Sequence, residues 1–347
     1  MTTAQQAEYH TLLDWNLMRN PDGGELEVAR LMYQVNQFNK ILPYREANDG
    51  MGHKIGIQTS LPVAYRSSYG KRQQAVHGTQ AVITETSAWA QTPWKALHDI
   101  CQLNGAGVEL MKEAENHAEA LAQLVEGDQL YGNNDADVEQ PNGFMIRRSS
   151  LTGEIGKFTI DGGGAGDAGT LNLQSILLVG VGPGAVYGIF PKGSKTAGIE
   201  TLEYPGPSPD YGPDGEVPMY KGRFSQHYGL AEEDHRYSVR IPNINLNGFG
   251  VSSSGNRNLL FLMEDALARV QARVRLKVGP QAVDHYWVMS NAMFREFLHE
   301  MKTDVSQGAG LRWENIDTSF GAKMRAPVFM GIPIVFSEQF IPEDPVS

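Results

Sequence analysis

The sequence predicts a mixed α+β fold with long extensions outside its core, and three observations support this prediction. Apolar residues recur with the 3.6-residue spacing of a long helix in two segments, 108–130 and 256–278. Runs rich in Val, Ile, Thr and Tyr, which favour strands, lie before, between and after these segments. The 38 glycines and 18 prolines indicate many turns and loops between the elements.

Length, charge and cysteine content narrow the class of protein. A chain of 347 residues with 41% hydrophobic residues can form two subdomains or one large mixed domain. A net charge of −11, without a basic tail at either end, is unfavourable for sequence-independent binding to nucleic-acid phosphates. The single cysteine, Cys101, is predicted to be a small buried side chain in a protein of a reducing compartment.

Neither a targeting segment nor a membrane span is predicted. The first residues, MTTAQQAEYHTLLDW, contain neither the basic nor the apolar stretch of a signal peptide. No run reaches the ~18 to 20 apolar residues that cross a bilayer. We therefore expect a soluble protein made in a cytoplasm.

The first hundred residues predict an arm followed by a long ribbon. Residues 25–42 have the apolar spacing of a helix that Pro43 ends. Residues 50–92 predict a hairpin with a polar, basic tip at 67–77. Because a two-stranded ribbon is marginal in water, it needs a surface to lie on, in its own subunit or in another.

The middle of the chain predicts a long helix and several strands. Pro93 stands where a helix could start. The helix over 108–130 carries one apolar stripe, formed by Val108, Met111, Ala114, Ala118, Leu121, Ala122 and Val125. Strands are predicted at 176–181 and 187–190, and the Pro- and Gly-rich segment 204–218 is predicted to be a surface loop.

The C-terminal part predicts a second long helix between strands. HRYSVRIPNI is predicted to be a strand, and the helix over 256–278 has an apolar stripe formed by Leu259, Leu260, Met263, Leu267, Val270 and Val274. HYWVM then predicts a buried strand, NAMFREFLHEM a helix and GIPIVFSEQF a closing strand.

Two glycine-rich motifs suggest nucleotide binding but lack the structure that it requires. Residues 180–185 fit G-x-G-x-x-A, and residues 188–196 come within one residue of a P-loop. Both cradles need a helix to begin there, because its N-terminus holds the phosphate. Gly188 and Pro191 oppose such a helix, since each costs about 1 to 3 kcal/mol in a helix interior. We interpret both motifs as turns beside strands and expect no cofactor.

Other catalytic and metal-binding patterns are incomplete. NDADVEQPNG places Asp135, Asp137 and Glu139 at alternate positions, but Gln140 stands where a calcium loop requires glycine. The run EEDH at 232–235 is interpreted as a surface or interface charge run. The nine histidines lack H-E-x-x-H spacing, and no serine lies in a G-x-S-x-G elbow. Paired-carboxylate catalysis is left open, because any two of the 40 acidic residues could meet in space.

Seven stretches, in order along the chain, carry a resemblance to a known family. They are TLLDW, LMYQVNQFNKIL, GHKIGIQTSLPVAYRSSYG, DQLYGN, YGIFPKGSKTAGIE, GLAEEDHRYSVRIPNI and GIPIVFSEQF. The third is similar to a family segment G-H-(R/K)-x-x-(I/V)-x-T-x-L-P, and the fifth to G-(I/V)-Y-P-K-G-S-K-x-G. The chain thus resembles the major capsid proteins of tailed double-stranded-DNA bacteriophages, which share the Hong Kong 97 (Johnson) capsid fold. The acidic residues of the sixth stretch and the loop 204–218 depart from the family pattern.

The resemblance implies a division into four parts. These are an N-terminal arm at 1–49, an extended E-loop at 50–92, a peripheral domain at 93–250 with a spine helix at about 107–130, and an axial domain at 251–347. The C-terminal strand, helix and GIPIV strand suggest that the order of the two domains is permuted relative to the founding member of the fold.

The resemblance also implies the partners. The protein is expected to assemble with itself into pentamers and hexamers of a shell, in the host bacterial cytoplasm, and to enclose DNA without sequence-specific binding. Scaffolding, portal and cement proteins are expected partners, whereas enzymatic activity, a cofactor, a metal and a membrane are not. The basic tip at Tyr69, Lys71 and Arg72 is expected to contact a neighbouring subunit.

Two alternative functions follow from the same residues. An encapsulin-type nanocompartment shell has the same fold and would differ by a cargo-binding groove. A nucleotide-dependent enzyme would use the 180–196 loops.

Overall fold

The structure, a computed structural model, has the mixed α+β content that the sequence predicts. It describes residues 37–50, 52–67, 69–70, 72, 74–104, 106–166, 172–194, 196, 198–203, 206–212, 215–248, 258–274, 283–303, 312–317 and 323–346. Most of the helix predicted over 25–42 lies outside these residues. Its end is present as a single turn that stops before Pro43.

The described residues form the following elements. The helices are α1 (Phe38–Ile41), α2 (His98–Asn104), α3 (Ala106–Tyr131), α4 (Phe144–Arg147), α5 (Gly153–Gly156), α6 (Leu259–Val274) and α7 (Asn291–Thr303). The strands are β1 (Tyr44–Glu46), β2 (Gly52–Gln58), β3 (Gln80–Thr86), β4 (Ala88–Leu97), β5 (Leu173–Val181), β6 (Val186–Phe190), β7 (Ile199–Glu203), β8 (Ser208–Gly212), β9 (Gly215–Tyr228), β10 (Leu230–Glu232), β11 (Val239–Asn245), β12 (Asp284–Met289), β13 (Arg312–Asp317), β14 (Lys323–Phe329) and β15 (Ile332–Phe336). Short 3₁₀ turns lie at Gly164–Gly166, His235–Tyr237 and Leu246–Gly248.

The main core surrounds a nine-stranded sheet with the path β1-β6-β5-β12-β15-β14-β13, to which β10 adds on β6 and β11 on β5. All nine residues of β5 are buried. Because side chains alternate between faces along a strand, Ile176 and Leu178 pack towards α6 and α7, whereas Leu177 and Val179 pack towards α1, α4 and the end of α3. The sheet contains strands that precede residue 250 in the chain and strands that follow it, although the predicted boundary between the peripheral and axial domains lies at this residue.

A second, four-stranded sheet lies against the long helix α3. Its path is β4-β9-β7, with β8 also paired to β9. Leu121 and Val125 of α3 pack against Ala88, Ala90 and Tyr228. The small alanines allow the helix to approach the sheet closely. The predicted helix and the inward direction of these two stripe residues are confirmed, whereas Ala118, in the same predicted stripe, is exposed.

Two sequence predictions are wrong. Pro93 does not begin a helix, because it lies within β4 and α2 starts only at His98. Since β4 is an edge strand, a residue without an N–H is tolerated there. The segment 204–218 is not only loop: it contains β8 and the start of β9, which pair as a hairpin.

A buried carboxyl group fixes the end of the arm on α3. Glu126 is fully buried, and its Oε2 accepts a hydrogen bond from the backbone N–H of Asn39 at 3.2 Å. Tyr44 donates to the side chain of Asn39 and accepts from Nε2 of Gln129 at 2.7 Å. Burial raises the pKa of Glu126 to about 7, and the hydrogen bonds and the charge of Lys40 oppose this effect only in part.

We expect this group to make the stability of the fold depend on pH. Because the folded-state pKa is raised, the contribution of Glu126 is fully present below its ordinary pKa of 4.5 and is lost as pH rises through about 7. The full effect is roughly 3 kcal/mol. Glu126→Gln, which resembles the protonated form, should therefore gain stability over the wild type as pH rises from 4.5 to 7.5.

Thermal unfolding midpoints across this pH range measure the difference. Glu139→Gln, at an exposed position of the loop after α3, is the control and should follow the wild-type curve. Parallel curves for Glu126→Gln and wild type would show that folding does not raise the pKa of Glu126.

Candidate subunit-contact surface

The predicted hairpin is present as an exposed ribbon formed by residues 52–86. Its strands β2 and β3 pair antiparallel over seven positions, from Gly52↔Thr86 to Gln58↔Gln80. Thr59 and Ser60 continue the pairing through hydrogen bonds to Thr79. The ribbon is therefore continuous up to residues 60 and 79, as the sequence predicts.

The outer part of the ribbon exposes large apolar side chains. Leu61 is 78% and Val82 is 67% exposed, and the others are Val63, Tyr65, Tyr69, Val76 and Ile83. Isolated exposed apolar residues are common on proteins, but a concentration of them on one projecting element indicates an interaction surface.

Two of the three predicted contact residues, Tyr69 and Arg72, lie in the outer part of this ribbon. Tyr69 is fully exposed, and Arg72 is also exposed. Lys71 lies outside the described residues. The contact of these three residues with a neighbouring subunit stays a prediction.

The root of the ribbon is fixed to the nine-stranded sheet by apolar packing. Ile55 is buried against Tyr187 and Ile189 of β6 and Ala231 of β10, and Ile57 packs at the edge of this cluster. Apolar packing resists separation but is not directional. Two polar contacts at the root of the ribbon are directional and therefore restrict its orientation.

One polar contact joins Glu85 to Arg147. Glu85 is the one buried residue of β3, and Arg147 Nη1 and Nη2 donate to its two carboxylate oxygens, the second at 2.8 Å. Arg147 Nη2 also donates to the carbonyl oxygens of Asn142 at 3.0 Å and Leu230 at 2.9 Å. Through Arg147, the carboxylate of Glu85 is thus linked to two segments outside the ribbon, the loop after α3 and β10.

A second polar contact joins His53 to Tyr187. The Tyr187 hydroxyl donates to Glu233 Oε1 at 2.7 Å and lies 2.8 Å from His53 Nε2. The guanidinium of Arg45 lies over the Tyr187 ring at 5.3 Å. Burial and the charge of Arg45 lower the pKa of His53 more than the nearby carboxylates raise it. Because the hydroxyl hydrogen of Tyr187 is directed to Glu233, Nε2 of His53 is the donor to the Tyr187 oxygen.

Sequence reasoning missed Glu85 and Arg147. The only local signal is a glutamate in ITET, a run that is otherwise β-branched. The charge run at 232–235 was interpreted too simply. Glu232 is buried rather than on the surface and pairs with buried Arg148, whose Nη1 donates to Oε2 at 3.2 Å.

The glycine-rich segment is structural. Gly182 and Gly184 have φ values of 142° and 82° and form the turn between β5 and β6, so a strand rather than a helix follows. A Cβ at Gly188 would lie 2.6 Å from the Tyr44 ring, which explains this glycine by close packing. The turn predicted at 180–184 is confirmed from Gly182 onwards, whereas Gly180 lies within β5. Lys195 lies outside the described residues.

We expect Lys195→Ala to leave ATP, GTP and NAD binding unchanged, at background. The reason is that β5, the turn and β6 provide no helix N-terminus for a phosphate. Isothermal titration of wild type and variant with each nucleotide tests this expectation. Micromolar binding to the wild type that the substitution abolishes would contradict it.

The described residues were also predicted to contain neither a metal site nor a membrane span. Within the part of the chain that the structure describes, no three His, Cys, Asp or Glu side chains are placed to hold a metal ion. No helix among the described residues is long and apolar enough to cross a membrane. Asp135, Asp137 and Glu139 are exposed in a turn-rich loop.

Comparison with known proteins gives the family. The model of the Major capsid protein GP7 family matches residues 20–343. The chain belongs to this family. As a member of this family it is a major capsid protein, a structural component of the virion. The resemblance predicted from the seven sequence stretches is confirmed.

The first of three similar solved structures shows the fold of this major capsid protein. A chain of bacteriophage Epsilon15 is 20% identical, with a TM-score of 0.66, and the match covers 100% of this chain and 99% of that one. The bacteriophage JBD30 capsid is 11% identical with a TM-score of 0.42, covering 74% and 80%. The encapsulin of Synechococcus elongatus is 9% identical with a TM-score of 0.40, covering 59% and 85%. No curated protein sequence matches the chain.

Proposed function

We propose that the ribbon is the principal contact between adjacent subunits of one capsomer, in a shell of pentamers and hexamers. The observation that carries the proposal is the exposure of its outer part, where apolar side chains such as Leu61 and Tyr69 face solvent on an element without a core of its own. Each such side chain stabilises an interface by about 1.5 to 3 kcal/mol when it becomes fully buried. A neighbouring copy of the chain supplies the missing surface.

The four-part division of the subunit also belongs to this proposal. We assign the arm to 1–49, the E-loop to 50–92, the peripheral domain to 93–250 and the axial domain to 251–347, in a permuted order. The packing of α3 on the four-stranded sheet supports a peripheral unit. The boundary at 250 separates strands of one nine-stranded sheet, so the two domains share a core in this proposal.

The remaining partners follow from the role of a shell. DNA lies inside without sequence-specific contacts, and the net charge of −11 gives a wall that does not attract phosphates. Scaffolding, portal and cement proteins complete assembly. Phage capsids and encapsulin compartments share one fold, so the fold does not distinguish between them. Family membership favours a phage capsid.

Reversal of the two basic tip charges tests the ribbon contact. Lys71→Glu with Arg72→Glu should leave the subunit folded but lower the yield of shells and make assembly more sensitive to salt. An exposed ion pair contributes only about 0 to 1 kcal/mol, but the contact is repeated at every interface and its effects add on assembly. Circular dichroism reports the fold, and particle counts in electron micrographs report the yield.

A matched control separates position from net charge. Arg295→Glu with Lys302→Glu makes the same charge change on α7 and should keep a larger share of the wild-type yield. Normal yield from the folded tip variant would remove the tip from the assembly contacts.

A further inference from the structure

The two polar contacts at the root of the ribbon lie directly opposite each other. His53 and Glu85 are register partners in the β2–β3 pair, so their side chains leave the same face of the ribbon. Each is tied to a different part of the body, Glu85 to Arg147 of α4 and His53 to Tyr187 of β6. Together they form two fixed points across the width of the ribbon.

Their chemistry makes them directional. A bidentate guanidinium–carboxylate pair has a fixed plane and is among the stronger hydrogen-bonded contacts in proteins. Because Glu85 is buried, its carboxylate cannot exchange Arg147 for water at low cost. Beyond this pair, β3 is exposed at every residue from Gln80 to Thr84, so the rest of the strand adds little restraint.

A small rotation at this root is amplified at the tip. Glu85 and Tyr69 are sixteen positions apart in the chain, and a fully extended chain of that length would reach at most about 50 Å. A rotation of about 5° about the root would then displace the tip by up to roughly 4 Å, which is the width of one packed side chain. Such a displacement changes which residues of a neighbour the tip meets.

We propose that Glu85 and Arg147 are positioning residues that fix the angle at which the ribbon leaves the subunit, and that this angle selects one shell curvature. The inference rests on the proposed ribbon contact. His53 and Tyr187 hold the other side of the same root. Without the ion pair, Ile55 still keeps the ribbon attached, but the attachment permits more than one angle.

Glu85→Gln tests this role, because it keeps the shape of the side chain and removes its charge. We expect particles to form with a distribution of diameters at least twice as wide as that of the wild type in electron micrographs. Hydrogen exchange of the β2 and β3 amides in unassembled subunits should become at least three times faster. Tyr187→Phe, which removes the hydroxyl from the second contact, should widen the distribution in the same direction.

Glu343→Gln is the matched control, because it breaks a buried ion pair whose two partners lie outside the ribbon. Glu343 accepts from Arg240 at 2.8 Å, and both side chains are about as buried as Glu85. This variant should lose thermal stability but keep one particle diameter.

Three outcomes separate the possibilities. A single wild-type diameter for folded Glu85→Gln and for Tyr187→Phe overturns the positioning role. Equal broadening in Glu343→Gln also overturns it, because the effect would then reflect stability alone. If wild-type protein forms shells and a chain in which Asn-Gly replaces residues 61–78 forms them at the same yield, the proposed ribbon contact fails instead.

Discussion

A chain in which residues 61–78 are replaced by Asn-Gly will fold normally and will not form shells. The described residues of this segment are mostly exposed, so their removal takes little from the core. Thr59 lies opposite Thr79 in the register of the two strands, so the replacement leaves Ser60-Asn-Gly as a three-residue connection with glycine last, which is a common hairpin loop. The thermal unfolding midpoint should stay within about 2 °C of the wild type, since the buried area hardly changes.

Electron microscopy and analytical ultracentrifugation measure the loss of assembly in this variant. A drop of at least 100-fold in particle number with an unchanged circular dichroism spectrum is the expected result. Particles at wild-type yield would show that the ribbon is dispensable and would contradict the proposed contact.

Arg148→Ala should cause a large loss of stability. Arg148 is buried, donates to Glu232 and to the carbonyl oxygen of His235 at 3.0 Å, and lies 4.4 Å from the centre of the Phe144 ring. Its removal leaves the Glu232 charge buried and unpaired, which costs about 3 to 5 kcal/mol. The thermal unfolding midpoint should fall by roughly 10 °C.

The pH dependence of this loss identifies its cause. Burial alone would raise the pKa of Glu232, but the charge and hydrogen bonds of Arg148 outweigh burial and hold that pKa below its ordinary value. Without Arg148 the carboxyl group takes up a proton more readily, so the deficit of the variant should shrink as pH falls. Arg236→Ala, which breaks the half-exposed pair with Asp234, is the control and should cost at most about 1 kcal/mol. An equal loss in the two variants would mean that burial of the Arg148 pair is not decisive.

Periodic elements were predictable from the sequence because their pattern is local. The α3 helix at Ala106–Tyr131 agrees with the predicted 107–130, and α6 presents Leu259, Leu260, Met263 and Val270 to the core as its stripe predicts. Cys101 is buried, as expected for a small apolar side chain. The strands β5 and β6 also follow directly from their apolar runs.

Features that depend on distant partners were not predictable. Pro93 is compatible with a strand only because that strand lies at a sheet edge, which the sequence does not reveal. The segment 204–218 forms strands because β9 offers a partner to β8. The hairpin of β13 and β14 was missed, and Glu232 was placed on the surface because Arg148 lies 84 residues away in the chain.

In the contact surface, too, local features were predictable from the sequence and contacts between distant residues were not. The tip at Tyr69 and Arg72 is visible in the sequence as a polar, basic stretch within one hairpin. The pair formed by Glu85 and Arg147 spans 62 residues and becomes apparent only when the ribbon is seated on β6 and β10.

Electron microscopy of the purified wild-type protein shows whether the subunit assembles through its ribbon. We expect closed shells of one diameter, with capsomers of five and six subunits, at concentrations where the variant lacking 61–78 stays unassembled. A compact monomer that persists at high protein concentration, even with a scaffolding protein and at high salt concentration, would contradict this expectation.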